Sequence, residues 1–261
     1  MASSLENLLS IMDRLRGPDG CPWDREQTLK DLRVFLLEET HEVLDAIDKS
    51  ESGPLKEELG DLLFQIVFQS RIARELGWFD FDQVAEGIAE KLIRRHPHVF
   101  GDARLTSSGE VIEQWEDLKD AERRKAALPS RLGGVPSRLP ALLRALRLSE
   151  KAARAGFDWS STADVFTKVR EEIGEWEEAM NQGATAAARR ELGDLLFSLV
   201  NVARKLDLDP EAALQETNDE FRRRFTAMEQ MLAGSGETAE SLTPQRWEAL
   251  WRKAKESGTP S

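Results

Sequence analysis

Two acidic pairs held at a fixed interval occur twice in this chain, and the duplication constrains the fold more than any other feature. The first copy lies in Phe35-Leu36-Leu37-Glu38-Glu39-Thr40-His41-Glu42-Val43 and Glu57-Glu58-Leu59-Gly60-Asp61-Leu62-Leu63-Phe64. The second lies in Val169-Arg170-Glu171-Glu172-Ile173-Gly174-Glu175-Trp176 and Arg190-Glu191-Leu192-Gly193-Asp194-Leu195-Leu196-Phe197. Glu39, Glu42, Glu58 and Asp61 thus fall on Glu172, Glu175, Glu191 and Asp194 at one constant offset. In a helix, residues three apart are surface neighbours, so each pair occupies one face, and two facing pairs make a cup of four carboxylates.

Solvated charge places no demand on register, so the repeat argues against an ordinary charged surface. The acids also share their helices with apolar residues: Leu32, Phe35, Leu36, Val43, Ala46 and Ile47 lie along the stripe that carries Glu39. Carboxylates on a core-facing stripe are costly unless a cation sits among them. Oxygen-only donors suit magnesium, manganese or calcium. Glu38 and His41 form the Glu-x-x-His pair of di-iron bundles, but such a site needs two, and the second copy has Gly174 in place of His41. His96 and His98 are the only other histidines.

The chain has 261 residues, 40% of them hydrophobic and 32% charged, enough for helical cores under a solvated surface. A net charge of -12 disfavours nucleic acid as a partner, because binding to its backbone releases counterions to a basic surface. One cysteine, Cys21, allows no internal disulfide. No basic segment precedes an apolar run near Met1 and no stretch is apolar enough to span a bilayer, so a cytoplasmic protein without membrane contact is expected.

Leu5 to Arg16 reads as an amphipathic helix ended by Gly17-Pro18-Asp19-Gly20. Asp24, with Gln27 three residues on, reads as the cap of the helix that bears Glu39. Ser50-Glu51-Ser52-Gly53-Pro54 breaks that helix before the one bearing Glu58, and Pro97 fixes the end of a helix over Phe81 to Arg95. A helix over Val111 to Lys125 closes the first half. In the second half Ser160-Ser161-Thr162, Asn181-Gln182-Gly183, Pro210 and Pro244 mark the corresponding boundaries. Nothing alternates like a strand. The expected architecture is all-α: residues 1–125 as one helical bundle, 126–137 as a linker and 138–261 as a second bundle.

Basic clusters at Lys91, Arg94 and Arg95 and at Arg222, Arg223 and Arg224 either complement helix C-termini or grip phosphate oxygens. Trp115 with Lys119 and Trp251 with Lys255 stand one turn apart near the end of each half. No P-loop or dinucleotide-binding glycine pattern is present, so phosphate chemistry would run through metal and carboxylates.

These motifs, with Gly20-Cys21-Pro22-Trp23-Asp24, Arg94-Arg95-His96-Pro97-His98-Val99-Phe100, Leu139-Pro140-Ala141-Leu142 and Gly156-Phe157-Asp158-Trp159, resemble the MazG family of all-α nucleoside triphosphate pyrophosphohydrolases in its tandem form. The resemblance implies tandem MazG-like bundles, a homodimer, and magnesium-dependent hydrolysis of nucleoside triphosphates to monophosphate and pyrophosphate. It implies metal ligation by Glu172, Glu175, Glu191 and Asp194 and by Glu39, Glu42, Glu58 and Asp61. It suggests nucleotide contacts from Lys168, Arg224, Trp251 and Lys255, with Lys91, Arg95, Trp115 and Lys119 as the first-half counterparts. Glu220 and Ala187 stand where the family pattern has lysines, so Arg189, Arg190, Arg222 or Arg223 would take over that grip, and Lys91 keeps it in the first copy.

A triphosphate brings about four negative charges to a site that already has four, so two or more magnesium ions, or manganese, would have to intervene. Glu171 and Glu38, next to the ligands, are candidates for orienting or deprotonating the attacking water. The alternatives are a nucleotide- and metal-binding regulator without turnover, and a helical scaffold with structural calcium.

Overall fold

The computed structural model describes residues 3–102, 104–125, 130–234, 238–239 and 242–257. Among them the regular structure is helical and no strand occurs. The chain divides into two compact units, Met1–Lys125 and Ala126–Ser261. Part of the expected linker, 126–129, lies outside the described residues.

The first unit contains α1 (Ser4–Leu15), α2 (Pro22–Glu26), α3 (Leu32–Asp48), α4 (Ser52–Glu75), α5 (Phe81–Arg95), α6 (Pro97–Phe100) and α7 (Ser108–Lys125). The apolar faces of α1, α3 and α4 meet in a core of Met12, Leu32, Val67, Phe68 and Ile72, against which Leu8, Phe35, Phe64 and Phe81 pack. Capping boxes start α1, from Ser3 and Glu6, and α5, from Asp80 and Gln83.

Asp24 does not cap the helix bearing Glu39; it is buried inside the short α2, and Asp31 stands at the start of α3 with its carboxylate on the Thr28 amide and hydroxyl. Arg16 decides the local path. Its guanidinium donates to the Asp24 and Gln27 carbonyls and is paired at 2.6 Å with Glu75 at the end of α4, so it consumes the backbone acceptors that a longer helix would need. Gly20 is required at the preceding turn, because a Cβ there would lie 2.1 Å from the Leu15 carbonyl oxygen.

The second unit contains α8 (Ala141–Arg154), α9 (Thr162–Asn181), α10 (Thr185–Lys205), α11 (Pro210–Ala233) and α12 (Pro244–Ser257). Ser161 caps α9 as its sequence suggests, and prolines open α11 and α12. Val165, Val169, Leu195 and Val202 form the α9–α10 core beside Trp159 and Trp176. Met228, Leu232, Leu250 and Ala254 join α11 to α12.

The hairpin that carries the acids is built the same way twice. After α3 the Ser50 and Glu51 amides donate to the Ile47 and Ala46 carbonyls; after α9 the Gly183 and Ala184 amides donate to Met180 and Ala179. Both turns are the left-handed close of a helix, with φ of +56° at Ser50 and +66° at Gly183. Each hairpin leaves an apolar row at matching register exposed on its second helix: Leu59, Leu63 and Ile66 on α4, Leu192, Leu196 and Leu199 on α10.

Candidate metal and active site

In each unit the paired helices bring three carboxylates to one place. Oxygens of Glu39, Glu58 and Asp61 lie within 4.8 Å of one another in the first, and those of Glu172, Glu175 and Glu191 do so in the second. Both groups draw on the two helices of a hairpin: one i, i+3 pair, Glu58 with Asp61 or Glu172 with Glu175, and one acid from the facing helix. Glu42 stands beside the first group, close enough to hydrogen-bond Glu39, while Asp194 is exposed and outside the second group.

The electrostatics of the two sites differ. Burial and then repulsion from Asp61 and Glu42 push Glu39 above the usual carboxylate range; Glu58 is raised by burial and then by Glu42 and Asp61. In the second unit Glu175 is raised in the same direction, with burial the main cause, but Lys168 opposes the shift. Lys168 lies 2.7 Å from Glu171 and 2.6 Å from Glu172, and those contacts hold its ammonium well above the ordinary lysine range. The matching position in the first unit is Phe35, which meets Trp23 edge-on at 5.8 Å.

The donor set fits a hard divalent cation. All three donors in each group are carboxylate oxygens at a spacing that one or two ions can bridge. Glu172 is 4% exposed, and its Oε2 is buried without a hydrogen-bond partner, a costly condition that a bound cation would relieve. Glu171 and Glu38 are exposed and adjoin Glu172 and Glu39 in sequence, with Glu171 in contact with Lys168.

Apart from Arg190 on α10, the remaining candidates fall on helices outside the acid hairpins. Lys119 lies 3.9 Å from the centre of the Trp115 ring. Trp251 meets Phe221 at 5.4 Å and lies under the Arg224 guanidinium at 5.5 Å. Glu220 binds Arg223 and Arg224, at 2.6 and 2.5 Å, so the acid that replaces an expected lysine holds two of the cluster's arginines. Arg190 reaches back to the Ala186 carbonyl. Lys91 and Arg95 are half-buried at the end of α5, and Lys255 is exposed on α12. The resemblance alone, and no spacing, drew attention to Lys168. An i, i+4 pair of Lys168 with Glu172 is a helix-face signal that could have found it.

A tandem of helical hairpins, each presenting three converging carboxylate side chains, defines the class. Its sequence matches the MazG nucleotide pyrophosphohydrolase domain over residues 27–100 and again over 161–227. The chain belongs to that family. It is 44% identical over 256 residues to the nucleoside triphosphate pyrophosphohydrolase of Escherichia coli K12, covering 97% of both chains. It is 44% identical over 250 residues to the nucleoside triphosphate pyrophosphohydrolase/pyrophosphatase MazG of Thermotoga maritima, covering 96% of this chain and 95% of that one. A crystal structure of a MazG-related protein from Thermotoga maritima aligns with 44% of this chain and 98% of its own at 29% identity and a TM-score of 0.39.

Proposed function

We propose that the chain hydrolyses nucleoside triphosphates to nucleoside monophosphate and pyrophosphate, by attack of water at the α-phosphorus, with magnesium as cofactor and manganese as its substitute. The observation that carries this reading is the pair of three-carboxylate groups, each inside a segment that matches the pyrophosphohydrolase domain. A triphosphate adds about four negative charges, which these groups would repel without intervening cations.

When bound, the ions polarise the inner phosphate and acidify a water. The protein's own residues do the rest. Glu172, Glu175 and Glu191, with Asp194 at the rim, hold the metal in the second unit, and Glu39, Glu58 and Asp61, with Glu42 adjoining, hold it in the first. Glu171 and Glu38 orient the water and accept its proton. Arg224, Arg190, Lys255, Lys91 and Arg95 answer the outer phosphates, and Trp251 and Trp115 offer faces to the base, a grip with little discrimination among bases.

A homodimer is part of the same proposal. It is supported by the apolar rows on α4 and α10, which are too regular to be scattered surface residues.

The test is incubation with mixed nucleoside triphosphates and magnesium in ¹⁸O-labelled water. Pyrophosphate together with labelled monophosphate is expected; orthophosphate alone, or label in the pyrophosphate, would overturn the assignment.

A further inference from the structure

The second carboxylate group already contains a cation of the protein's own. Lys168 sits one turn before Glu172 on α9, its Nζ 2.6 Å from Glu172 Oε1 and 2.7 Å from Glu171 Oε1. The side chain is 35% exposed, so its ammonium can leave for solvent, whereas the Glu172 side chain, 5% exposed, cannot follow. Glu172 Oε2 has no partner at all. A divalent ion bound by Glu172, Glu175 and Glu191 would therefore share a carboxylate with an ammonium in direct contact. Two cations at that range repel strongly in a partly buried setting.

We propose that Lys168 is a displaceable counter-ion: it holds the Glu172 carboxylate in the metal-free protein, and a divalent ion enters the second site only by releasing it. This rests on the reading that the second group binds a divalent cation. The lysine keeps metal affinity low until something else rewards its release, and an incoming triphosphate, rich in oxygen acceptors, is the partner of the right charge. Metal and nucleotide binding are then coupled through one side chain. The first unit has Phe35 in this position and no such coupling, which makes it an internal control.

The experiment is a Mn²⁺ titration of the whole chain by calorimetry and by the Mn²⁺ paramagnetic signal, without nucleotide. Wild type is compared with Lys168→Met and Lys168→Gln, each in a Glu58→Gln background that disables the first group. Both substitutions are expected to tighten Mn²⁺ binding about tenfold, the equivalent of one charge-assisted hydrogen bond. In ¹⁵N spectra of the lysine ammonium groups, the Lys168 signal, identified by its loss in Lys168→Met, should lose its ion-paired character as Mg²⁺ is added.

Equal or weaker Mn²⁺ binding in both variants would overturn the proposal while leaving the metal reading intact. So would an ammonium signal unchanged at saturating Mg²⁺, since that result means long-range repulsion without displacement. Absence of Mn²⁺ binding in wild type and variants alike would overturn the metal reading, and this proposal with it.

Discussion

Ser50 and Gly183 occupy the same place in the two acid-bearing hairpins and adopt the same left-handed backbone, with φ of +56° and +66°. Glycine takes that conformation freely, whereas serine is strained by its Cβ. Ser50→Gly should therefore stabilise the first unit by up to about 1 kcal/mol, and Gly183→Ser should destabilise the second by a similar amount. Chemical denaturation of the two variants checks both signs.

Glu172→Gln removes a carboxylate charge from the most enclosed position of the second group. Its pyrophosphohydrolase activity should fall by at least about a hundredfold if the second unit carries turnover, with far-ultraviolet circular dichroism unchanged. Asp194→Asn should follow it. The matched Glu39→Gln measures the share of the first unit.

Glu58 in the first unit is surrounded by Glu42, Asp61 and Glu57, with Lys49 offsetting them in part. Without metal this crowding of like charge works against folding, so Glu58→Gln should raise the thermal midpoint of the metal-free protein. Added Mg²⁺ should reverse the order, because wild type gains binding energy that the variant has lost. Thermal melts with and without chelator test the crossing.

Asp158 is held at about 2, first by its hydrogen bond from Arg204 and then, against the cost of burial, by Lys205. Its folded pKa is depressed, so the stabilisation is complete above its ordinary pKa of 3.8 and is lost as the pH falls towards 2. Asp158→Asn should cost about 1 kcal/mol at neutral pH, discounted for partial exposure, and the gap from wild type should close between pH 4 and about 2. Denaturant midpoints across that range provide the measurement.

Glu220→Gln should loosen Arg223 and Arg224, which the carboxylate now holds. Lower KM for nucleoside triphosphate by about threefold, with little change in kcat, is the expected outcome in steady-state kinetics.

Most of the helical order was legible because each element carries its own apolar stripe and its own breaker: Gly17 to Gly20, Pro97, Pro210 and Pro244 fall where α1, α5, α11 and α12 start or stop. The acid hairpins were legible because the sequence repeats them. Asp24 was misread because Arg16, distant from the cap pattern, takes the carbonyls around it. Which three of four acids converge depends on side-chain rotamers, and spacing cannot supply that; hence Asp194 lies apart while Asp61, its counterpart, does not. Lys168 left no mark in the apolar pattern because it acts through two neighbours on its own helix.

Arg16 fastens three stretches of chain with one side group: the end of α1, the carbonyls of α2 and of Gln27 just after it, and the last turn of α4. A lysine there could not span them, having a single point of attachment in place of a planar fork. Loss of the Arg16 fork should therefore free the Gly17–Leu29 strap before anything else, and in an Arg16→Ala variant the earliest protease nicks should fall within it while the acid-bearing hairpin still stands.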